Sequence, residues 1–193
     1  MLLLRKVKRK SIKQKLFILM IKTKLKIRKY GDPCLRKKSE SVKKIGPAER
    51  MLIDAMLNTI LDKETEIGLA APQIGINKKI FIVDLPEFPR VFVDPKILKK
   101  EGQTTMEEGC LSFPGFSFEV KRPKRIVVEY LNEQNKKCRI ECEDFLARVI
   151  LHETDHLNGV LIVDYVSEEE RMQNQKALDA LAEKTKKELK INS

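Results

Sequence analysis

The chain has 193 residues, of which 42% are hydrophobic and 35% charged, a composition that suits one soluble globular domain with a hydrophobic core. No apolar run reaches the ~18 residues of a membrane span; Leu16 to Ile21 is short even for the core of a signal peptide. The formal net charge of +11 is local: residues 1 to 30 hold 12 Lys and Arg and no acid, leaving 27 bases against 28 acids in the rest. The body is therefore neutral, which argues against sequence-specific nucleic-acid binding by the domain.

Residues 1–22 read as a basic extension, with 23–193 as the domain proper. Three readings of the extension are open: a disordered basic arm, an organelle-targeting peptide, or translated sequence upstream of a start at Met20. Scarce serine and the excess of lysine over arginine place the targeting reading behind the other two. YGDP at 30–33 is a turn. Residues 46–61 predict a helix, with Pro47 in its first turn and apolar residues at 52, 53, 56, 57, 60 and 61. KKIFIVDL, RVFVDP and RIVVEYL read as strands, NEQN as a turn, and KKCRIECE as the returning strand of a hairpin. DFLARVILHETDHLNG reads as a helix capped by Asp144, with Phe145, Val149, His152 and His156 on one face and Asn158 and Gly159 at its end. Ser167 to Glu170 forms a capping box for a last helix running to about Lys190. This order is α+β: mixed or antiparallel sheets around a central helix, with an N-terminal and a C-terminal helix.

The only two histidines lie in the string HETDH, an HExxH pattern. Four residues of helix turn about 400°, so His152 and His156 share a face and can grip one metal ion, with Glu153 beside them. The alternative is two solvent-facing histidines at a helix end. A third ligand is needed. Glu168, Glu169 and Glu170 read as first-turn charges that favour the helix dipole. Cys110, in the Gly/Pro-punctuated EEGCLSFPG between strands, is the better candidate, and a thiolate there leaves one position open for water. Cys34, Cys138 and Cys142 read as reduced thiols, the last two as packing residues. EIGLAAPQIG has small residues that let a backbone approach a ligand, and Gln73, whose amide can donate to a carbonyl oxygen.

GLAAPQ at 68–73, EGCLS at 108–112 and HETDH at 152–156 agree in residues, order and spacing with the three motifs of the peptide deformylase family, and the chain resembles that family over most of residues 25 to 166. The resemblance implies a metal-dependent hydrolase that removes the formyl group from N-formyl-Met peptides during protein biosynthesis, releasing formate. It implies metal ligands Cys110, His152 and His156, with Fe²⁺ native and Zn²⁺, Ni²⁺ or Co²⁺ as substitutes. Glu153 becomes the general acid/base. Gln73 and the backbone N–H of Leu111 stabilise the oxyanion, and Ile67 and Gly68 pair with substrate backbone. Glu108, Arg122 and Asp155 form the polar surroundings that orient the ligands. Phe145 and Val149, read from their helix face, line the pocket for the methionine side chain. Two positions depart from the family pattern: Glu66 where the first motif opens with glycine, and Leu151 where glutamine precedes the third.

The rival enzyme is an HExxH zinc endopeptidase with a downstream carboxylate ligand. The non-enzyme rival is a structural zinc module or a ribosome-associated protein using the basic arm. The expected setting is cytoplasmic, or an organelle if residues 1–22 are a targeting peptide, with the ribosome as a possible partner and no membrane insertion.

Overall fold

The computed structural model describes residues 25–60, 67–86, 88 and 91–191. The extension at 1–22 and the departure at Glu66 lie outside the described residues.

Among the described residues, seven strands and three α-helices make an α+β fold. Helix α1 is Pro47–Ile60, followed by the strands β1 (Gly68–Ala70), β2 (Ile80–Val83) and β3 (Val91–Glu101). The hairpin β4 (Thr104–Gly109) and β5 (Ser117–Arg122) comes next, then the hairpin β6 (Arg125–Leu131) and β7 (Lys137–Glu143). Helices α2 (Asp144–Leu157) and α3 (Glu168–Ile191) close the chain. The main sheet has the order β1-β2-β3-β6-β7, and β4-β5 forms a separate two-stranded sheet. Among the described residues every strand pair is antiparallel, and an isolated bridge between Glu40 and Lys78 is parallel.

The alternation of side chains along a strand explains how one sheet serves two layers. Ile80 and Ile82 join Val91 and Val93 in a core with Met56, Ile53 and Ile60 of α1. Phe81, Val83 and Phe92 point to the opposite face and pack with Ala147, Ile150 and Leu151 of α2. Both faces of β2 are therefore covered, which is why its four residues form an unbroken apolar run. Phe81 stacks on Phe92 at 4.7 Å between ring centroids, and Phe92 meets the tilted ring of Tyr130 at 4.4 Å, tying together the centre of the sheet. A third core joins Phe113, Phe118 and Val120 of the hairpin to Leu35, Leu161, Ile162 and Leu178, and so docks α3.

Helix α2 thus has the main sheet on one side and the β4–β5 hairpin on another. Its start differs from expectation. Asp144 is the first helical residue, with φ +48, and the cap position is Glu143, whose side chain makes no capping bond. The Asp144 N–H donates to the Lys124 carbonyl instead (2.8 Å), so the preceding hairpin sets where the helix begins. Its end is as expected: Asn158 caps it and Gly159 follows at φ +75. A Cβ there would also sit 2.8 Å from the Arg36 carbonyl carbon, so that position admits only glycine without rearrangement. The Ser167 hydroxyl accepts from the Glu170 N–H (3.1 Å), as the capping motif of α3 predicts. Leu151, a departure from the family pattern, is buried in the core beside Phe81 and Phe92, where a leucine is at home. All four cysteines are free. Cys142 is core, Cys138 packs against it, and burial raises the Cys34 thiol to about 12.

Candidate metal centre and active site

Three elements bring the site together. The last two turns of α2 carry His152, Glu153 and His156. The turn leaving β4 carries Cys110, and the short helical turn after β1 carries Gln73. Ligand atoms of Cys110, His152 and His156 lie within 4.8 Å of one another, and Cys110 Sγ is 3.3 Å from His156 Nε2. Donor atoms about 2.0–2.3 Å from one ion stand at such separations. The donor set therefore fits a divalent metal: one thiol sulfur and two imidazole nitrogens. Among the described residues no fourth Cys, His or carboxylate joins the three. A structural zinc centre is closed by four protein ligands; this one leaves a position for water or substrate.

Burial pushes His156 well below its ordinary value, aided by the charges of His152 and Arg122, which keeps its imidazole neutral and able to ligate. For His152 burial acts in the same direction, but hydrogen bonds to Cys110 and Glu108 outweigh it and raise it. His152 Nδ1 lies 3.0 Å from Glu108 Oε2, which leaves Nε2 to face the metal position. Glu108 is itself held on Arg122 by a fork of 2.6 and 2.9 Å, and Arg122 reaches on to Asp155 at 2.6 Å. Burial works against the Glu108 carboxylate, yet the bonds from Arg122 and His152 hold it down at about 2. All three polar residues singled out in the sequence thus meet around His152.

Two neighbours of this network were not legible from the sequence. Arg148 is buried and donates to Glu108 Oε1 at 2.6 Å. Tyr165 donates to Asp155 Oδ2 at 2.8 Å and lies under the Arg122 guanidinium, 4.6 Å from its ring centre. For Arg148 a signal existed: it stands four residues before His152, so it shares the ligand face in an otherwise apolar stretch.

Gln73 is buried, and its orientation is fixed. Oε1 accepts from the Ala70 N–H (2.8 Å), so Nε2 must point the other way, where it lies 3.6 Å from Cys110 Sγ. The Leu111 carbonyl accepts from Lys29 Nζ at 2.6 Å, and the Ser112 N–H lies 3.4 Å from Cys110 Sγ, so the turn behind the thiol is tied down on both sides.

A cavity of about 570 Å³ opens onto this group, lined by Ile67 and Gly68 on one side and by Phe145, Val149, His152 and Glu153 on the other. Cys110 and Leu111 also reach its wall, while Gln73 and His156 lie behind it. β1 lies at the edge of the main sheet, paired with β2 alone among the described strands, so an extended chain can lie along it. Gly68 is the narrow point. A Cβ there would stand 2.8 Å from Glu153 Cδ, inside contact distance. Gly68→Ala is expected to displace the carboxylate and lower kcat by about 10²-fold, the cost of a misplacement near 1 Å, while metal content stays at the wild-type level. Steady-state kinetics beside metal analysis of the purified variant check both halves.

Comparison with known proteins bears on what the site does. The sequence profile of a family described as polypeptide deformylase matches residues 24–172. A peptide deformylase of Clostridium botulinum is 51% identical over 138 residues, covering 72% of this chain and 93% of that protein. The crystal structure of the Thermotoga maritima peptide deformylase superposes with a TM-score of 0.72 at 41% identity, covering 75% of this chain and 99% of that one. The peptide deformylase of Synechococcus elongatus, solved in complex with actinonin, gives 0.74 at 40% identity, covering 81% and 85%.

Proposed function

The chain belongs to the polypeptide deformylase family, and from that premise we propose how its own residues remove the formyl group from the N-terminus of formyl-methionyl chains. The observation that carries the reading is the meeting of three ligand atoms, Glu153 and an oriented Gln73 amide at a cavity bordered by a sheet edge. No such finding favours the endopeptidase alternative, and the downstream glutamates it would call on lie in the first turn of α3.

Cys110, His152 and His156 hold the divalent metal, with Fe²⁺ the ion we assign and Zn²⁺, Ni²⁺ or Co²⁺ able to replace it. When bound, the metal acidifies water and polarises the formyl carbonyl. The rest falls to the protein. Glu153, buried against Gly68, takes a proton from the attacking water and returns it to the amide nitrogen as the C–N bond breaks. Nε2 of Gln73 and the N–H of Leu111 donate to the formyl oxygen as it gains charge. Both donors are fixed before substrate arrives, which is what makes such donors effective. The edge of β1 at Ile67 and Gly68 takes the substrate backbone. Phe145 and Val149 supply apolar wall for the methionine side chain, and Glu108, backed by Arg122 and Asp155, holds His152 in position. Formate and a free amino terminus are the products. Release of formate from formyl-Met-Ala-Ser by the metal-loaded protein is the direct test; no release with full metal occupancy would end the assignment.

Residues 1–22 take no part in this account, and we assign the catalytic domain to 23–193. Every proposed site residue lies at or beyond Ile67. Removing residues 1–19, so that translation starts at Met20, is expected to leave kcat/KM on a short formyl peptide unchanged. A fall of about tenfold, or some 1.4 kcal/mol of lost transition-state stabilisation, would place the arm on the domain. With kcat/KM unchanged, a role for the arm would be sought in location, as salt-sensitive attraction to ribosomal RNA or to an anionic membrane surface, in keeping with a cytoplasmic enzyme that meets chains as they emerge.

A further inference from the structure

Two arginines cross the boundary between the element that carries two proposed ligands and the element that carries the third, in opposite directions. Arg122, on β5, reaches from the hairpin to Asp155 on α2. Arg148, on α2, reaches from the helix to the hairpin. It donates to the Val120 carbonyl of β5 at 2.8 Å and to the Thr104 carbonyl of β4 at 2.9 Å. Its Nη1 also donates to Glu108 Oε1 at 2.6 Å, the same oxygen that accepts from Arg122 Nε at 2.6 Å. The other oxygen of Glu108 is left for Arg122 Nη2 and for His152 Nδ1. Glu108 lies on β4, two residues before Cys110 in the turn that leaves that strand.

We propose that Arg148 is a positioning residue for the metal centre, acting through Glu108 to set the orientation of His152 and the distance between the His152–His156 helix and the Cys110 turn. This rests on the ligand assignment above. Arg148 is nearly fully buried, at 3% exposure, and so are Glu108 and Arg122 at 6% and 3%. A guanidinium is costly to bury, and the partners of its two terminal nitrogens, one carboxylate and two strand carbonyls, offset part of that cost, while Nε has no hydrogen-bond partner. The cluster of Arg148, Arg122, Glu108 and Asp155 is balanced, two positive groups against two negative. An apolar side chain at 148 would fill the helix face, but would leave Glu108 Oε1 with one donor instead of two, and would remove the ties from the helix to the Val120 and Thr104 carbonyls while those through Arg122 and His152 remain. Glu108 could then turn toward Arg122 alone and release the His152 ring.

The test uses the Co²⁺-loaded full chain, with metal affinity read by competition against a chromophoric chelator and ligand geometry read from the visible spectrum. Arg148→Met is expected to weaken Co²⁺ binding by about 10 to 100-fold, the usual effect of removing an outer partner of a ligating histidine. It should also alter the Co²⁺ absorption bands. In a background that already carries Glu108→Gln, the same change should weaken binding no further, because residues acting through one another are non-additive. An unaltered affinity and spectrum in Arg148→Met would overturn the proposal, even with a lower Tm, since that is the behaviour of a residue that only packs. Additive effects with Glu108→Gln would overturn it as well. Should Arg148→Met fail to fold, Arg148→Lys, which keeps the charge but not the fork, is compared in the same two backgrounds and the same outcomes decide. Wild-type protein binding one equivalent tests the ligand assignment separately: normal binding there beside an unaltered Arg148→Met removes only the role of Arg148.

Discussion

Replacing Cys110 by alanine is expected to empty the metal site and abolish formate release together. The reason is ligand number. His152 and His156, one helical turn apart, remain, and two imidazoles do not hold a divalent ion against dialysis as three ligands with a thiolate do. No other group is placed to take over, since the described residues offer no fourth ligand near the three. The fold should survive. Cys110 is half-buried and packs only at the margin of the third core, where Phe113, Phe118 and Leu161 carry the burial. The check is metal content by elemental analysis beside the thermal melt of the metal-free proteins. Full metal retention with the thiol gone would transfer the third ligand to a carboxylate and revive the endopeptidase reading. The same preparation bears on the native ion: an Fe²⁺-loaded wild type should lose activity in air while a Ni²⁺-loaded one persists, because thiolate and iron are both open to oxidation there. Equal lifetimes would count against iron.

Much of the architecture was legible because it is written locally. Helix α1 shows its apolar spacing from Leu52 to Ile60, and the β6–β7 hairpin shows two runs around NEQN, where Asn135 takes φ +63. The cluster of Cys110, His152 and His156 was legible because chemistry restricts metal-ligating side chains to few residue types. The β4–β5 hairpin was harder to see, and the site itself is the cause. β5 alternates correctly, but its inward positions are Phe118, Val120 and Arg122, so the third inward residue is the charge that bonds Glu108. β4 buries only Glu108. A strand whose inward residues are a carboxylate or an arginine has no hydrophobic period to read. The far end of β3 was hidden in a similar way: KILKKE looks like a solvated run, yet Lys96 to Glu101 pair with Glu129 to Arg125 of β6. The Asp144 cap failed because the hairpin, not the side chain, starts the helix.

Glu153→Gln is expected to keep the metal and the fold but lose about 10² to 10⁴-fold in kcat, the range for a general acid–base group. The larger end is the better expectation, because one carboxylate serves two proton transfers in sequence. Glutamine has nearly the same shape, so the narrow space beside Gly68 is still filled and the wall of the cavity stays as it is. Its amide can still hydrogen-bond, but it cannot accept the proton of the attacking water or return one to the leaving nitrogen. KM for a formyl peptide should change little, since the proposed substrate contacts at Ile67, Gly68, Phe145 and Val149 are untouched. The pair of measurements separates roles. A variant that keeps one equivalent of metal and its KM while kcat collapses has lost proton transfer. A variant that loses metal would make Glu153 part of what holds the centre, and one that retains turnover within a few-fold of wild type would leave the proton carrier to be found elsewhere in the cavity.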